Sequence, residues 1–163
     1  MISKAMQGAI NEQINNELYS AYLYLAMSAY FESQNMPGSA KWMRDQFTEE
    51  QAHGLKLYDY LLDRGGQVVL KAIEQPSTKF DGPLVVWEMV LAHEQKVTAS
   101  INRLYALAVK ESDFATQTAL GWFLSEQVEE EKNATLMVER FRMAGSNPAS
   151  LLLFDGHFTK RGA

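Results

Sequence analysis

Glu50 and His53 stand three positions apart in Glu49-Glu50-Gln51-Ala52-His53, and Gln127 and Glu130 repeat that spacing in Glu126-Gln127-Val128-Glu129-Glu130. On a helix, positions i and i+3 lie one above the other on one face. Each pair therefore aims two polar groups the same way. Glu17 precedes Glu50 by 33 positions, and Glu94 precedes Gln127 by the same 33. The apolar residues around these groups keep a helical period that sets them on or beside the buried face. Burying a carboxylate is costly unless it is paired or holds a metal. Glu17, Glu50, Glu94 and Glu130 carry four negative charges, which balance two divalent cations. Hard oxygen donors with a single imidazole suit iron or manganese better than copper or thiolate chemistry. Glu50 is then the natural bridge, with Glu17 and His53 completing one site. Glu94 and Glu130 hold the second, beside Gln127 as a neutral and weaker neighbour.

Such a layer needs four helices in register. From Ser3 to about Ser33 only Gly8 disfavours a helix, at a cost of about 1 kcal/mol, and Ile10, Ile14, Leu18 and Leu25 keep the period. Asn35-Met36-Pro37-Gly38 reads as a turn. Ser39 is the expected N-cap of a second helix running to Arg64, with Gly65 as its stop. A connection of about 18 residues follows, unusually long for a compact domain. Pro83 opens a third helix to about Lys110. Ser112-Asp113 caps a fourth, ending at Ala144-Gly145, and Ala149 to Phe154 suggests a short fifth before a polar tail. The expected bundle covers about 4–144 and the fifth helix about 148–157, in one domain of 1–163.

Helices of about 27 to 31 residues are roughly 40 to 46 Å long. An extended connection of about 18 residues covers about 60 Å, enough to run the length of the bundle. The pattern is all-α, with two helical hairpins joined by one long crossover. Val68-Val69-Leu70 within it is read as packing on a neighbouring surface, with a strand as the alternative. In an antiparallel hairpin, residues level with each other have their midpoint at the turn. The midpoint of Glu17 and Glu50 is 33.5 and that of Glu94 and Gln127 is 110.5, close to the two short turns. One Glu-x-x-His alone is better read as a solvated face or a hydrogen-bonded layer. Four helices in register reverse that preference.

Composition narrows the rest. A chain of 163 residues, 47% hydrophobic and 21% charged, is that of a globular protein with a substantial core. No apolar run is long enough to span a bilayer, and Met1-Ile2-Ser3-Lys4 does not open a signal peptide. The absence of cysteine fits a reducing cytoplasm. A net charge of -5 without a Lys/Arg stripe argues against a nucleic-acid partner. Most of the eight methionines and 18 aromatics are expected in the core.

With these motifs in place, the sequence resembles the non-haem ferritins of bacteria. The likeness runs from Asn11-Glu12-Gln13-Ile14-Asn15-Asn16-Glu17-Leu18-Tyr19-Ser20 through Glu49-Glu50-x-x-His53 and His93-Glu94-Gln95. It continues through Ser125-Glu126-Gln127-x-Glu129-Glu130-Glu131 to the C-terminal helix. The resemblance implies a ferritin-like bundle whose Glu17, Glu50, His53, Glu94 and Glu130 bind two ferroxidase irons, with Gln127 nearby. It implies a third, weaker iron at Glu49, Glu126 and Glu129, with Tyr24 beside the centre. Tyr24 is seven residues after Glu17 and shares its face. Ferrous iron and dioxygen are the implied substrates, and a 24-subunit shell the implied assembly.

Bacterioferritins are similar but carry a second Glu-x-x-His, where this chain has Gln127-x-x-Glu130. The methionine they use to ligate haem is replaced by Gln51, so no haem is expected. The mini-ferritins that protect DNA build their site between subunits and lack the fifth helix, unlike this pattern.

Other residues carry weaker signals. Trp122, four before Glu126, is read first as a core residue and second as an electron donor beside Tyr24. His93 points about 100° away from Glu94 and is expected outside the ligand set. His157 is expected on the surface. Glu111 and Asp113 are divided between simple capping by Asp113 and the mouth of an iron channel. Two other functions fit the layer: a di-iron oxidase acting on an organic substrate or peroxide, and a structural bundle with a vestigial site.

Overall fold

The structure, a computed structural model, describes residues 1–158. The polar tail expected after the fifth helix lies outside the described residues. Five helices form: α1 Lys4–Ser33, α2 Pro37–Asp63, α3 Pro83–Lys110, α4 Phe114–Ala144 and α5 Pro148–Phe158. No strand occurs among the described residues, so the all-α expectation holds.

The helix ends follow from local chemistry. Ser3 caps α1, its Oγ accepting from the Met6 N–H at 3.0 Å. Asp113 caps α4 in the same way through Thr116 N–H at 3.1 Å. Asn35, Gly65 and Ser112 take left-handed φ values of 55°, 72° and 55° just past α1, α2 and α3. After each, a backbone N–H turns back to a carbonyl of the last helical turn: Met36 to Phe31, Gly66 to Leu61, Asp113 to Ala108.

The start of α2 differs from expectation. Ser39 is not the N-cap, because Pro37 opens the helix two residues earlier, with Met36 as N-cap. Proline has φ already set for a first helical turn and no N–H to satisfy. The N–H groups of Gly38 and Ser39, which have no partner within the helix, are taken instead by Asp155 of α5, at 2.9 and 2.7 Å. Ser39 Oγ donates to the same carboxylate at 2.8 Å. A Cβ on Gly38 would lie 1.9 Å from the Asp155 carbonyl oxygen, so only glycine lets α5 close in.

Beyond the two hairpins, α1 packs antiparallel on α3 through Asn16–Ser100 and Ser20–His93. α2 runs antiparallel to α4 through Tyr60–Thr116 and Arg64–Asp113. The crossover is laid along α1. Asn11 binds both the Gln67 carbonyl, at 2.9 Å, and the Val69 N–H, at 2.7 Å. Farther on, Phe80 meets Tyr30 with ring centroids 5.3 Å apart. Val68 packs against the core while Val69 and Leu70 stay exposed, so this stretch docks without forming a strand.

The core is split in two. One apolar cluster gathers Met27, Phe31, Met43, Val90 and Phe141, and the other Ile10, Ile14, Leu57, Ile101 and Leu120. On every long helix the candidate residues fall between them: Glu17 after Ile14, Glu50 and His53 between Met43 and Leu57, Glu94 after Val90, Gln127 and Glu130 after Phe123. Apolar packing on both sides thus fixes the height of one polar layer.

Candidate metal centre

All six layer residues are buried: Glu17, Glu50, His53, Glu94, Gln127 and Glu130. One ligand atom each from Glu17, Glu50 and His53 lies within 4.8 Å of the others. His53 Nδ1 is 3.4 Å from Glu50 Oε2, an oxygen with no hydrogen-bond partner. On the opposite hairpin, Gln127 Nε2 donates to Glu94 Oε2 at 3.2 Å. Tyr24 donates its hydroxyl to Glu94 Oε1, so the tyrosine sits at the layer. The equal 33-residue offsets therefore bring both expected pairs level.

Like charges this close in an apolar setting must be neutralised by protons or by cations. Burial, then the charge of Glu50, holds Glu17 well above the ordinary carboxylate range. Burial and then Glu94 do the same to Glu50. Glu94 is raised by burial, against the lowering hydrogen bonds from Tyr24 and Gln127. Burial, reinforced by Glu94, Glu49, Glu126 and Glu129, pushes Glu130 up to about 9. The Tyr24 hydroxyl also rises, by burial and then by Glu94.

A second group lies nearer the surface. Glu49, His53 and Glu126 bring one ligand atom each within 4.8 Å of one another. Glu129 is not in that set, although it lines the same cavity of about 220 Å³ with Glu49, Glu126 and Glu130. The expected Glu49–Glu126–Glu129 trio is thus gathered around one opening, and His53 of the layer is shared with Glu49 and Glu126. Glu49 is raised, chiefly by burial.

Two residues escaped the sequence reading. Gln13 donates to Glu17 Oε1 at 2.7 Å, and Gln46 Nε2 reaches Glu49 Oε2 at 3.1 Å. Each stands four residues before a layer glutamate, one helical turn away on the same face. That spacing was the available signal.

The weaker candidates separate. Trp122 is 39% exposed rather than a core residue, and packs edge-on to His53 with centroids 5.2 Å apart. His93 lies outside both ligand groups; its Nε2 pairs with Ser20 Oγ at 2.7 Å. Burial, then Lys96, lowers its pKa to about 4. His157 is exposed. Asp113 caps α4 and pairs with Arg64 at 3.0 Å, and these contacts outweigh its desolvation to lower its pKa to about 2. Glu111 accepts from Ser3 Oγ at 2.7 Å.

Comparison with known proteins gives a consistent result. The family model described as a ferritin-like domain matches residues 7–144. A bacterial non-heme ferritin of Bacteroides fragilis strain YCH46 is 40% identical over 99% of this chain and 100% of its own. One from Staphylococcus saprophyticus is 38% identical over 99% and 96%. Among solved structures, an open pore ferritin from the hyperthermophilic archaeon Archaeoglobus fulgidus superposes with a TM-score of 0.97. It is 45% identical, with 99% of each chain covered.

Proposed function

Since this chain belongs to the ferritin family, we propose that it stores iron, oxidising ferrous ions at the buried layer and holding the ferric product inside a hollow shell. The observation that carries this is the layer itself: four carboxylates, an imidazole and an amide from four helices, buried between two apolar clusters. Glu50 Oε2, buried with no hydrogen-bond partner, is an oxygen suited to a cation.

In this mechanism Glu17, Glu50 and His53 hold one ferrous ion, and Glu94 and Glu130 hold the other. Glu50 bridges them, and Gln127 orients Glu94. Cation binding displaces the protons that the raised carboxylates retain. Each ferrous ion gives up one electron, and dioxygen accepts the pair with two protons. Tyr24 keeps its proton near neutral pH and positions Glu94. The ferric ions then leave by way of Glu49, Glu126 and Glu129. Twenty-four copies build the storage shell, in a cytoplasmic setting, and Trp122 packs edge-on against His53.

A di-iron oxidase of organic substrates is the other class. It needs a cavity that brings an apolar substrate to the metals. The opening bounded by Glu49, Glu126, Glu129 and Glu130 is small and lined mainly by acidic and amide groups. That lining favours a cation as the substrate. The deciding experiment adds ferrous iron aerobically to the purified protein near pH 7, follows ferric absorbance, and weighs the particle. Fast oxidation with many irons held per chain in a very large particle is expected. Oxidation that stops at about two irons per chain in a small oligomer overturns storage in favour of the oxidase.

A further inference from the structure

Gln46 stands between the exposed acids and the buried layer. It is 6% exposed and projects from α2 one turn before Glu50. Its Nε2 donates to Glu49 Oε2 at 3.1 Å and, at a longer 3.4 Å, to both oxygens of Glu130. Glu49 belongs to the opening and Glu130 to the layer, so one amide links the two groups. Its other atom, Oε1, is buried without any hydrogen-bond partner. Leaving a buried polar atom unpaired costs about 1–3 kcal/mol and asks for an explanation. The same side chain lines the cavity of about 220 Å³ with Glu49, Glu126, Glu129 and Glu130. An amide oxygen is a hard, neutral donor, often found beside carboxylates around cations.

We propose that Gln46 is a ligand in cation transfer: its Oε1 binds a divalent ion at the Glu49–Glu126–Glu129 opening and hands it between that opening and Glu130. This rests on the layer being the iron-oxidising centre. The terminal amide torsion is broad and roughly two-fold, so a half turn exchanges Nε2 and Oε1. With Nε2 inward, the amide tethers Glu49 to Glu130. With Oε1 inward, a cation can sit among three oxygens. The cation repels the N–H and attracts the oxygen, so its arrival and the rotation favour each other. Because the amide stays neutral throughout, the ion is held loosely enough to move on.

Cobalt(II), added to the full-length protein without oxygen, tests this by its visible absorption at each site. The wild type should fill the layer and then a weaker site at the opening. Gln46→Leu should leave layer affinity within about twofold and weaken the opening at least tenfold, the usual cost of losing a supporting contact. Gln46→Glu restores an oxygen and should bind more tightly there than the wild type. Release of layer cobalt to an external chelator should slow severalfold in both variants, one lacking the intermediate ligand and the other trapping the ion. Unchanged binding at the opening in Gln46→Leu overturns the proposal, as does parallel weakening of every site. Cobalt in the layer with none at the opening of the wild type overturns it too, and leaves the proposed function standing. No cobalt in the layer overturns that function itself.

Discussion

Gln127 Nε2 meets Glu94 Oε2 at 3.2 Å, although the two residues stand 33 positions apart on opposite arms of a hairpin. Glu17 and Glu50 stand at the same separation on the other hairpin, close enough to share one metal-ligand group. The two halves of the bundle therefore bring matched pairs to one height. They differ at two positions: Gln127 stands where the first half has Glu50, and Glu130 stands one turn on where the first half has His53. One half offers two carboxylates and an imidazole, the other two carboxylates and an amide. Under the proposed function the second site binds its ion less tightly, because it lacks an imidazole donor and its amide is engaged on Glu94.

Gln127→Glu tests that asymmetry. It adds a fifth buried carboxylate and removes the amide that Glu94 accepts from. Without added metal, stability should fall by about 1–3 kcal/mol, the cost of leaving buried polar groups unpaired. Saturating cobalt(II) should shrink or reverse the deficit, since the new carboxylate becomes a ligand. Denaturant midpoints with and without cobalt give the answer. An equal deficit in both conditions would mean that position 127 does not face a metal.

His53→Ala removes the only imidazole in the layer. The fast phase of ferrous oxidation should slow at least about tenfold, as for loss of a metal contact. Helical circular dichroism should be retained, because the two apolar clusters lie on either side of the change. An unchanged rate by stopped-flow absorbance would remove His53 from the site.

Protonation of the layer sets a pH dependence whose sign is opposite to that of ordinary surface acids. Glu130 titrates at about 9 in the folded protein and near its ordinary carboxylate value when unfolded. Between those values the folded state holds the extra proton. Metal-free stability is therefore full below the unfolded value and is lost as pH rises toward 9, by up to about 1.4 kcal/mol per pH unit for each such proton. Thermal unfolding between pH 5 and 9 should show the decline, and Glu130→Gln should flatten part of it. Saturation with divalent cations should reverse the slope near neutrality, because the bound ions replace the protons. A metal-free Tm that rises across this range would contradict the raised pKa.

Helix number, the crossover and the height of the layer were legible because each is written in local period and in offsets along the chain. Met43 to Leu57 and Val90 to Val97 repeat at helical spacing whatever the neighbours are. Gln13 and Gln46 were legible in principle, one turn before Glu17 and Glu50, but amides carry no charge that must be explained. The role of Ser39 could not be read locally. Its partner is Asp155, 116 positions away, and no periodicity links them. Trp122 was misplaced because helical spacing gives its direction but not how far α2 covers it.

Asp155 supplies the remaining prediction. It is a buried acid on α5, and its partners are the N–H groups of Gly38 and Ser39 with Ser39 Oγ. A carboxylate at a helix N-terminus satisfies unpaired donors and meets the positive end of the helix dipole. Asp155→Ala leaves those donors buried and should cost about 2–4 kcal/mol, a cap loss plus unsatisfied N–H groups. Asp155→Asn keeps one acceptor and should cost less. Gly38→Ala should loosen α5 with the Asp155 carboxyl still present, since the new methyl meets its backbone. Glu50 lies twelve residues farther along α2, about 18 Å from Gly38, so initial ferrous oxidation should stay within about twofold in all three. Limited proteolysis after Gly145, run beside thermal unfolding and the oxidation assay, separates the effects. Oxidation lost in step with Tm would show that α5 also holds the layer in register, and not only the start of α2.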